Sequence, residues 1–275
     1  MYKPVFWYIF VVTFIPLLYI MSIESGNKIN QLLQNKLPGG LLFSSWLKKE
    51  GYSDQLLKRY RDSGWLSLIS KGVMYRTGEK LSPYAVLSSF NTQLDKKFYI
   101  GAHSALEISG FSHYVPMGNP VLQIGHPTHE KVPAWMTSLN MEQQLKFFST
   151  STFAVPKLTL YRQGDYEILM SVPEQAFLEC LLLAPEQYTY MDLYYIMEQL
   201  TTLRPDIVQS LLENTESIKV KRMFLYMAQK AGHYWFQSLD KKRIDLGTAK
   251  RKLVPNGVYI PEYSITIPKE LYEYE

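Results

Sequence analysis

Between Leu41 and Gly78 the chain runs through two helical periods and then two strand periods, punctuated by glycines at 51, 64 and 72, and that order leaves few folds open. In Phe43-Ser44-Ser45-Trp46-Leu47-Lys48-Lys49-Glu50-Gly51 a serine is placed to cap a first helix, Trp46 and Leu47 face a small core, and Gly51 permits a sharp turn. Ser53 is placed to cap a second helix, Asp54 to Asp62, with Gly64 at the left-handed position that ends it. At roughly 100° per residue Leu56, Leu57 and Tyr60 fall in one arc, and Gln55, Lys58, Arg61 and Asp62 lie opposite. Trp65 to Ser70 and Val73 to Arg76, joined at Lys71-Gly72, read as a β-hairpin with a basic tip. This order predicts a winged helix-turn-helix whose second helix carries an outward face suited to a major groove.

Charge is distributed as such a module requires. Residues 1–90 hold eleven Lys and Arg against five Asp and Glu; the remainder holds 18 against 20 of the chain's 29 basic and 25 acidic residues. A modest overall excess of +4 therefore conceals a basic N-terminal module and a nearly neutral body, as expected if one part meets a polyanion.

At 275 residues the chain has room for a substantial core, and no low-complexity tract or short repeat suggests disorder or a solenoid. Its one cysteine, Cys180, lies in the apolar run Ala176 to Ala184, which excludes an intramolecular disulfide framework and reads as a small core hydrophobe in a reducing, cytoplasmic setting. Lys3 to Glu24 enclose no charged residue, and Val5 to Ile20 approach the length of a membrane span. Pro16 interrupts that run, no small-residue cleavage site follows it, and Met21 opens a polar-to-amphipathic stretch. We therefore read residues 1–20 as an over-extended start or a membrane segment, with residues 21–275 on the cytoplasmic side in either case.

Beyond the hairpin the pattern is mixed α+β. A helix opens at Leu81 to Leu87; Phe98 to Gly101 and Pro120 to Gly125 read as strands, with a helix between them stopped at Gly110. Leu158 to Tyr161 and Tyr166 to Met170 flank Gly164-Asp165 as a hairpin, Val172-Pro173-Glu174 starts a long apolar helix, and Asp192 to Leu200 and Asp206 to Leu212 continue helically. Gly257 to Ile260 and Tyr263 to Ile267 are the last strands. The expected division is a winged module over 21–80, an α+β segment over 81–150 and a C-terminal domain over 151–275, with a seam near Thr150 to Pro156.

These residues also carry a resemblance. Ser44-Ser45-Trp46-Leu47, Ser63-Gly64-Trp65-Leu66, Gly72-Val73-Met74-Tyr75-Arg76, Ala105-Leu106-Glu107 with Gly110 and His113-Tyr114, and Val132-Pro133-Ala134-Trp135 resemble the N-terminal part of the AbiEi-type antitoxin family of abortive-infection, type IV toxin–antitoxin systems. Ser171 to Ala176, Leu203-Arg204-Pro205, Ser217 to Tyr226 and Asp245 to Arg251 resemble its C-terminal domain, so the likeness covers about residues 27–275. The resemblance implies a winged helix that represses its own operon by binding promoter inverted repeats, two copies per repeat. It also implies a C-terminal domain that neutralises a partner nucleotidyltransferase toxin without a stable complex, and no cofactor. Carried onto this chain, groove contacts fall to Gln55, Lys58 and Arg61 and phosphate contacts to Lys48, Lys49, Lys71 and Arg76. The basic clusters Lys219, Lys221, Arg222 and Lys250, Arg251 are the candidates for the antitoxin function, through RNA or a second DNA segment or as solvated helix-end charges.

Nothing in the pattern points to catalysis. His126 and His129 form the one close histidine pair, with no Cys or carboxylate set to complete a metal geometry, and neither a phosphate-binding glycine loop nor a Gly-x-Ser-x-Gly elbow is present. The competing reading is a one-component repressor whose aromatic-rich body, with 21 tyrosines, binds a small effector.

Overall fold

A computed structural model describes residues 28–34, 38–111, 120–149, 151–153 and 155–275. The apolar run of residues 1–20, the Met21 start and the His113-Tyr114 motif lie outside them. No helix among the described residues is long and apolar enough to cross a membrane. The chain divides into two compact units, residues 1–95 and 96–275.

In the first unit, residues 28–34 are helical (α1), followed by β1 (Leu42–Phe43), α2 (Ser44–Lys49), α3 (Asp54–Asp62), β2 (Leu66–Ser70), β3 (Val73–Arg76) and α4 (Pro83–Leu94). The helix ends are set by short-range chemistry. After α2 the Gly51 and Tyr52 amides donate to the Lys48 and Leu47 carbonyls with Gly51 at φ 84°, and after α3 Gly64 and Trp65 repeat this pattern on Arg61 and Tyr60 with Gly64 at φ 76°. Ser53 Oγ accepts from the Leu56 amide at the start of α3. The expected serine cap on α2 is not used. Phe43 is the N-cap residue, no side chain caps the helix, and the Ser44 amide, the first of the helix, donates to the Gly72 carbonyl in the hairpin turn. Leu47, Leu57, Tyr60, Leu66 and Met74 close the core beneath the two helices with Ile29 and Leu32 of α1, while Trp46 and Leu56 pack at its margin. The sheet order is β1-β3-β2, antiparallel throughout. The outer edge of β1 is sealed by α4: Gln93 accepts from the Phe43 amide and donates to the Leu41 carbonyl, and Ser89 Oγ accepts from the Leu41 amide.

The second unit holds β4 (Tyr99–Ile100), α5 (Ala102–Ile108), β5 (Val121–His126), α6 (Ala134–Thr137), β6 (Gln144–Ser149), β7 (Leu158–Gln163) and β8 (Tyr166–Ser171). A helical layer follows: α7 (Pro173–Leu183), α8 (Tyr190–Gln199), α9 (Pro205–Asn214) and α10 (Ile218–Lys230), then β9 (Arg251–Lys252), β10 (Val258–Ile260), β11 (Ile265–Ile267) and α11 (Lys269–Glu273). The main sheet is mixed, in the order β6-β5-β4-β8-β7, with β5 parallel to β6 and β4 parallel to β8. That order corrects the expected seam: strands from both sides of residues 150–156 share one sheet, so a domain boundary there would cut a continuous hydrogen-bonded ladder. Strand β6 was not expected from the sequence. Cys180 is buried in α7, as a core hydrophobe should be.

A second, small sheet has the order β10-β11-β9, with β10 antiparallel and β9 parallel to β11. It depends on Gly257, where an added Cβ would stand 2.1 Å from the Ile267 carbonyl oxygen. Gly257→Ala should therefore push β10 off β11 and cost about 1–3 kcal/mol in a denaturation measurement; an unchanged midpoint would mean that the strands part without loss.

Candidate nucleic-acid interface and the buried C-terminal cations

Helix α3 is held by its apolar side and presents the other. Leu57 and Tyr60 are buried, and Gln55, Lys58, Arg59 and Asp62 are exposed. These four lie within roughly 100° of arc on the helical wheel. Arg59 is a cation that the sequence reading left out, although the helical period alone places it beside Gln55 and Lys58. Arg61 departs from expectation: it sits on the flank of the helix, half-buried, with Nη1 donating to Met74 Sδ at 3.7 Å.

Of the residues expected on phosphates, Lys49 and Lys71 are exposed. Lys48 forms a 2.8 Å ion pair with Asp54, and Arg76 lies 3.6 Å from Glu79. Both pairs are at the surface, where such bridges are weak enough to open for a phosphate. The hairpin turn is seated rather than free: Gly72 lies against Ser44, whose Oγ would be 2.8 Å from an added Cβ, and only the Lys71 side chain projects from the tip. The exposed polar face of α3 is therefore made of Gln55, Lys58, Arg59 and Asp62, while Lys49 on α2 and Lys71 at the hairpin turn are also exposed.

The C-terminal clusters separate into two physical classes. Lys219, Lys221 and Arg222 are expected at the surface, but Lys221 and Arg222 are buried and Lys219 is half-buried. Lys219 Nζ donates to the Ala184 and Leu182 carbonyls at 2.7 and 3.1 Å and so closes the end of α7; Lys221 is 3% exposed. Arg222 is 1% exposed, and its guanidinium donates to four backbone carbonyls, those of Leu246 (2.8 Å), Ala249 (2.8 Å), Ser264 (2.9 Å) and Gly247 (3.0 Å). Burial lowers the pKa of all three, opposed at Lys219 by Glu186 and at Lys221 by Asp245. The arginine belongs to the fold because five fixed donors can satisfy carbonyls that the irregular segment after Ile244 cannot pair by itself. Reversing these three charges would dismantle the unit, so loss of function in such a variant says nothing about a contact surface. Lys250 and Arg251, with Lys252, are exposed.

A second buried polar centre has no counterpart in the sequence reading. Glu179, wholly buried in α7, accepts from Tyr99 Oη (2.8 Å), the Ala102 amide (2.8 Å), Gln175 Nε2 (2.7 Å) and Ser171 Oγ (2.9 Å). It joins β4, the start of α5, β8 and α7. Burial pushes its pKa up, and the four donors only partly offset this. A carboxylate inside the apolar run Ala176 to Ala184 was the available signal. Nearby, Glu174 pairs with Arg204 through two 3.0 Å contacts; its burial opposes ionisation, but the guanidinium and the Arg204 amide outweigh that and hold the carboxyl below its ordinary range. Acidification through that lowered value should therefore weaken the link between α7 and the start of α9. Among the described residues no group of three or more His, Cys, Asp or Glu is placed to hold a metal ion.

Comparison with known proteins adds three findings. A family model described as "Transcriptional regulator, AbiEi antitoxin, Type IV TA system" matches residues 119–268, and one described as "Transcriptional regulator, AbiEi antitoxin N-terminal domain" matches residues 25–117. Among solved structures, that of the RV2827C protein from Mycobacterium tuberculosis is similar in fold, at TM-score 0.58 and 15% identity over 88% of this chain and 90% of that one. No curated protein matches the chain.

Proposed function

The chain belongs to the AbiEi antitoxin family, transcriptional regulators of type IV toxin–antitoxin systems, and on that premise we propose that it works through two separable parts. The first, a winged helix-turn-helix, represses the chain's own operon by binding promoter inverted repeats, one copy on each half. The second, from Lys96 onward, counteracts a nucleotidyltransferase toxin without a stable complex. The observation that carries the first part is α3: one face is locked into a core, both ends are capped, and Gln55, Lys58 and Arg59 stand together on the other. The sheet order β1-β3-β2, which brings a hairpin alongside a preceding strand, supports the wing. For the second part, Lys250 and Arg251 remain candidate contacts, while Lys219, Lys221 and Arg222 act through the fold.

An anisotropy titration of the promoter repeat against a scrambled duplex tests the reading. Lys58→Ala should weaken the repeat more than the scrambled duplex and, as a lost cation, reduce the salt slope by about 1. Gln55→Ala should cost about 1–3 kcal/mol on the repeat only. If neither variant changes affinity, α3 is not the reading helix.

One observation favours a second reading, an effector-controlled repressor. The first unit, rather than the aromatic-rich body, carries a half-open pocket of about 390 Å³ bordered by Leu32, Leu42, Trp46, Tyr52 and Gln93, next to α2. A metabolite that raises the thermal midpoint and alters affinity for the promoter would support it.

A further inference from the structure

The small sheet of the second unit has one face in the core and one in solvent, and the register fixes which residues occupy each. Tyr259 of β10 pairs with Thr266 of β11, which pairs in turn with Lys252 of β9. Directly paired residues point to the same side of a sheet, so these three side chains form one row. Ile265 and Ile267, on either side of Thr266, are fully buried and mark the opposite face as the inner one. Tyr259 is 39% exposed, and Lys250 Nζ lies 5.2 Å from its ring centroid. Between Asp245 and Glu262 the chain carries Lys250, Arg251 and Lys252 and no acidic residue. The four carbonyls held by Arg222, three of them between Leu246 and Ala249, fix the approach to β9 from beneath.

We propose that this outer face is a docking platform for single-stranded RNA, in which an unpaired base stacks on Tyr259 and Lys250 and Lys252 meet the flanking phosphates. The inference rests on the sheet geometry and is independent of how the first unit reads its promoter. The row is three strands wide, on the order of 10 Å at the usual strand spacing, which is the scale of one or two nucleotides. It offers no helix or ribbon to a duplex groove, and an aromatic face is useful only to a base free of its partner. Lys250 already shows that the ring accepts a cation; its stem is long enough to pass the ammonium to a phosphate when a base takes the ring. Thr266, paired with both Tyr259 and Lys252, adds a hydroxyl to the same row, the kind of group that hydrogen-bonds a ribose 2′-OH.

The test uses the full chain and a fluorescent ten-nucleotide RNA of mixed sequence, with the same sequence as single-stranded DNA and as an RNA duplex. The single-stranded RNA should bind most tightly. Tyr259→Ala should weaken it by about five- to one-hundred-fold, and Tyr259→Phe should restore most of the affinity. Lys252→Glu should lower the salt slope, while Arg251→Glu, an equal charge change from the opposite side of β9, should do less. Gln55→Ala with Lys58→Ala should leave RNA binding unchanged. Equal binding of the duplex, tighter binding of the DNA strand, or full affinity in Tyr259→Ala with an unaltered thermal midpoint would overturn the proposal.

Discussion

Arg222→Met lowers the stability of the second unit by about 3–5 kcal/mol in equilibrium denaturation of the full chain, although it replaces a charge with an apolar side chain of similar length. The reason is the partner set. Four carbonyls from residues 246–249 and Ser264 turn inward onto one guanidinium, and methionine leaves all of them without a donor. Each unsatisfied buried acceptor costs on the order of 1–3 kcal/mol, and partial rearrangement of the loop recovers some of that sum. Arg222→Lys should recover little, because a point-like ammonium cannot span the fork. Arg251→Met, exposed on the neighbouring strand, should stay within about 0.5 kcal/mol. If Arg222→Met matched Arg251→Met, the buried guanidinium would not be holding the segment.

Glu179→Ala should be comparably damaging, about 3–4 kcal/mol, because it removes the common acceptor of Tyr99, Ala102, Gln175 and Ser171 and opens a cavity among them. Glu179→Gln keeps the volume and one acceptor oxygen and should cost less than half as much. The two carboxamide and carboxyl forms also differ in pH dependence. The folded-state pKa of Glu179 is raised above the ordinary carboxyl value, so protonation favours the folded chain. Its contribution is fully present below the unfolded value near ~4.3 and is lost as pH rises through the folded value. The stability gap between the natural chain and Glu179→Gln should therefore shrink as pH is raised from 4 toward neutrality. A gap that widens over that interval would show that the carboxylate is stabilised, not penalised, by its site.

These two residues also show where sequence reasoning stopped. The two helices and hairpin from Ser44 to Arg76, and the turn at Gly164-Asp165, were readable because their caps, glycines and periods act over a few residues. Arg59 is equally legible, since the helical period alone sets it beside Gln55 and Lys58. Arg222 is not: its carbonyl partners lie 24 to 42 residues ahead, and without them a Lys-x-Lys-Arg run resembles solvated charge. Glu179 gathers donors from as far as 80 residues away. Among the described residues strand β6 pairs only with β5, and it alternates weakly, with Gln144 and Lys146 facing out, so its identity comes from its neighbour. The Ser, Thr and Pro residues near 150–156 read as a linker, but local composition does not report that the strands on either side join one sheet. Several residues that carry the family resemblance, among them Glu174, Arg204, Arg222 and Gly247, turn out to hold the second unit together.

The separability of the two parts is tested most directly in cells carrying the chain's own promoter on a reporter and the product of the neighbouring toxin gene under separate control. The double variant Gln55→Ala with Lys58→Ala, expressed at the level of the natural chain, should lose repression of the reporter and still restore growth. Loss of both activities in that folded variant, or retention of repression, would contradict the account.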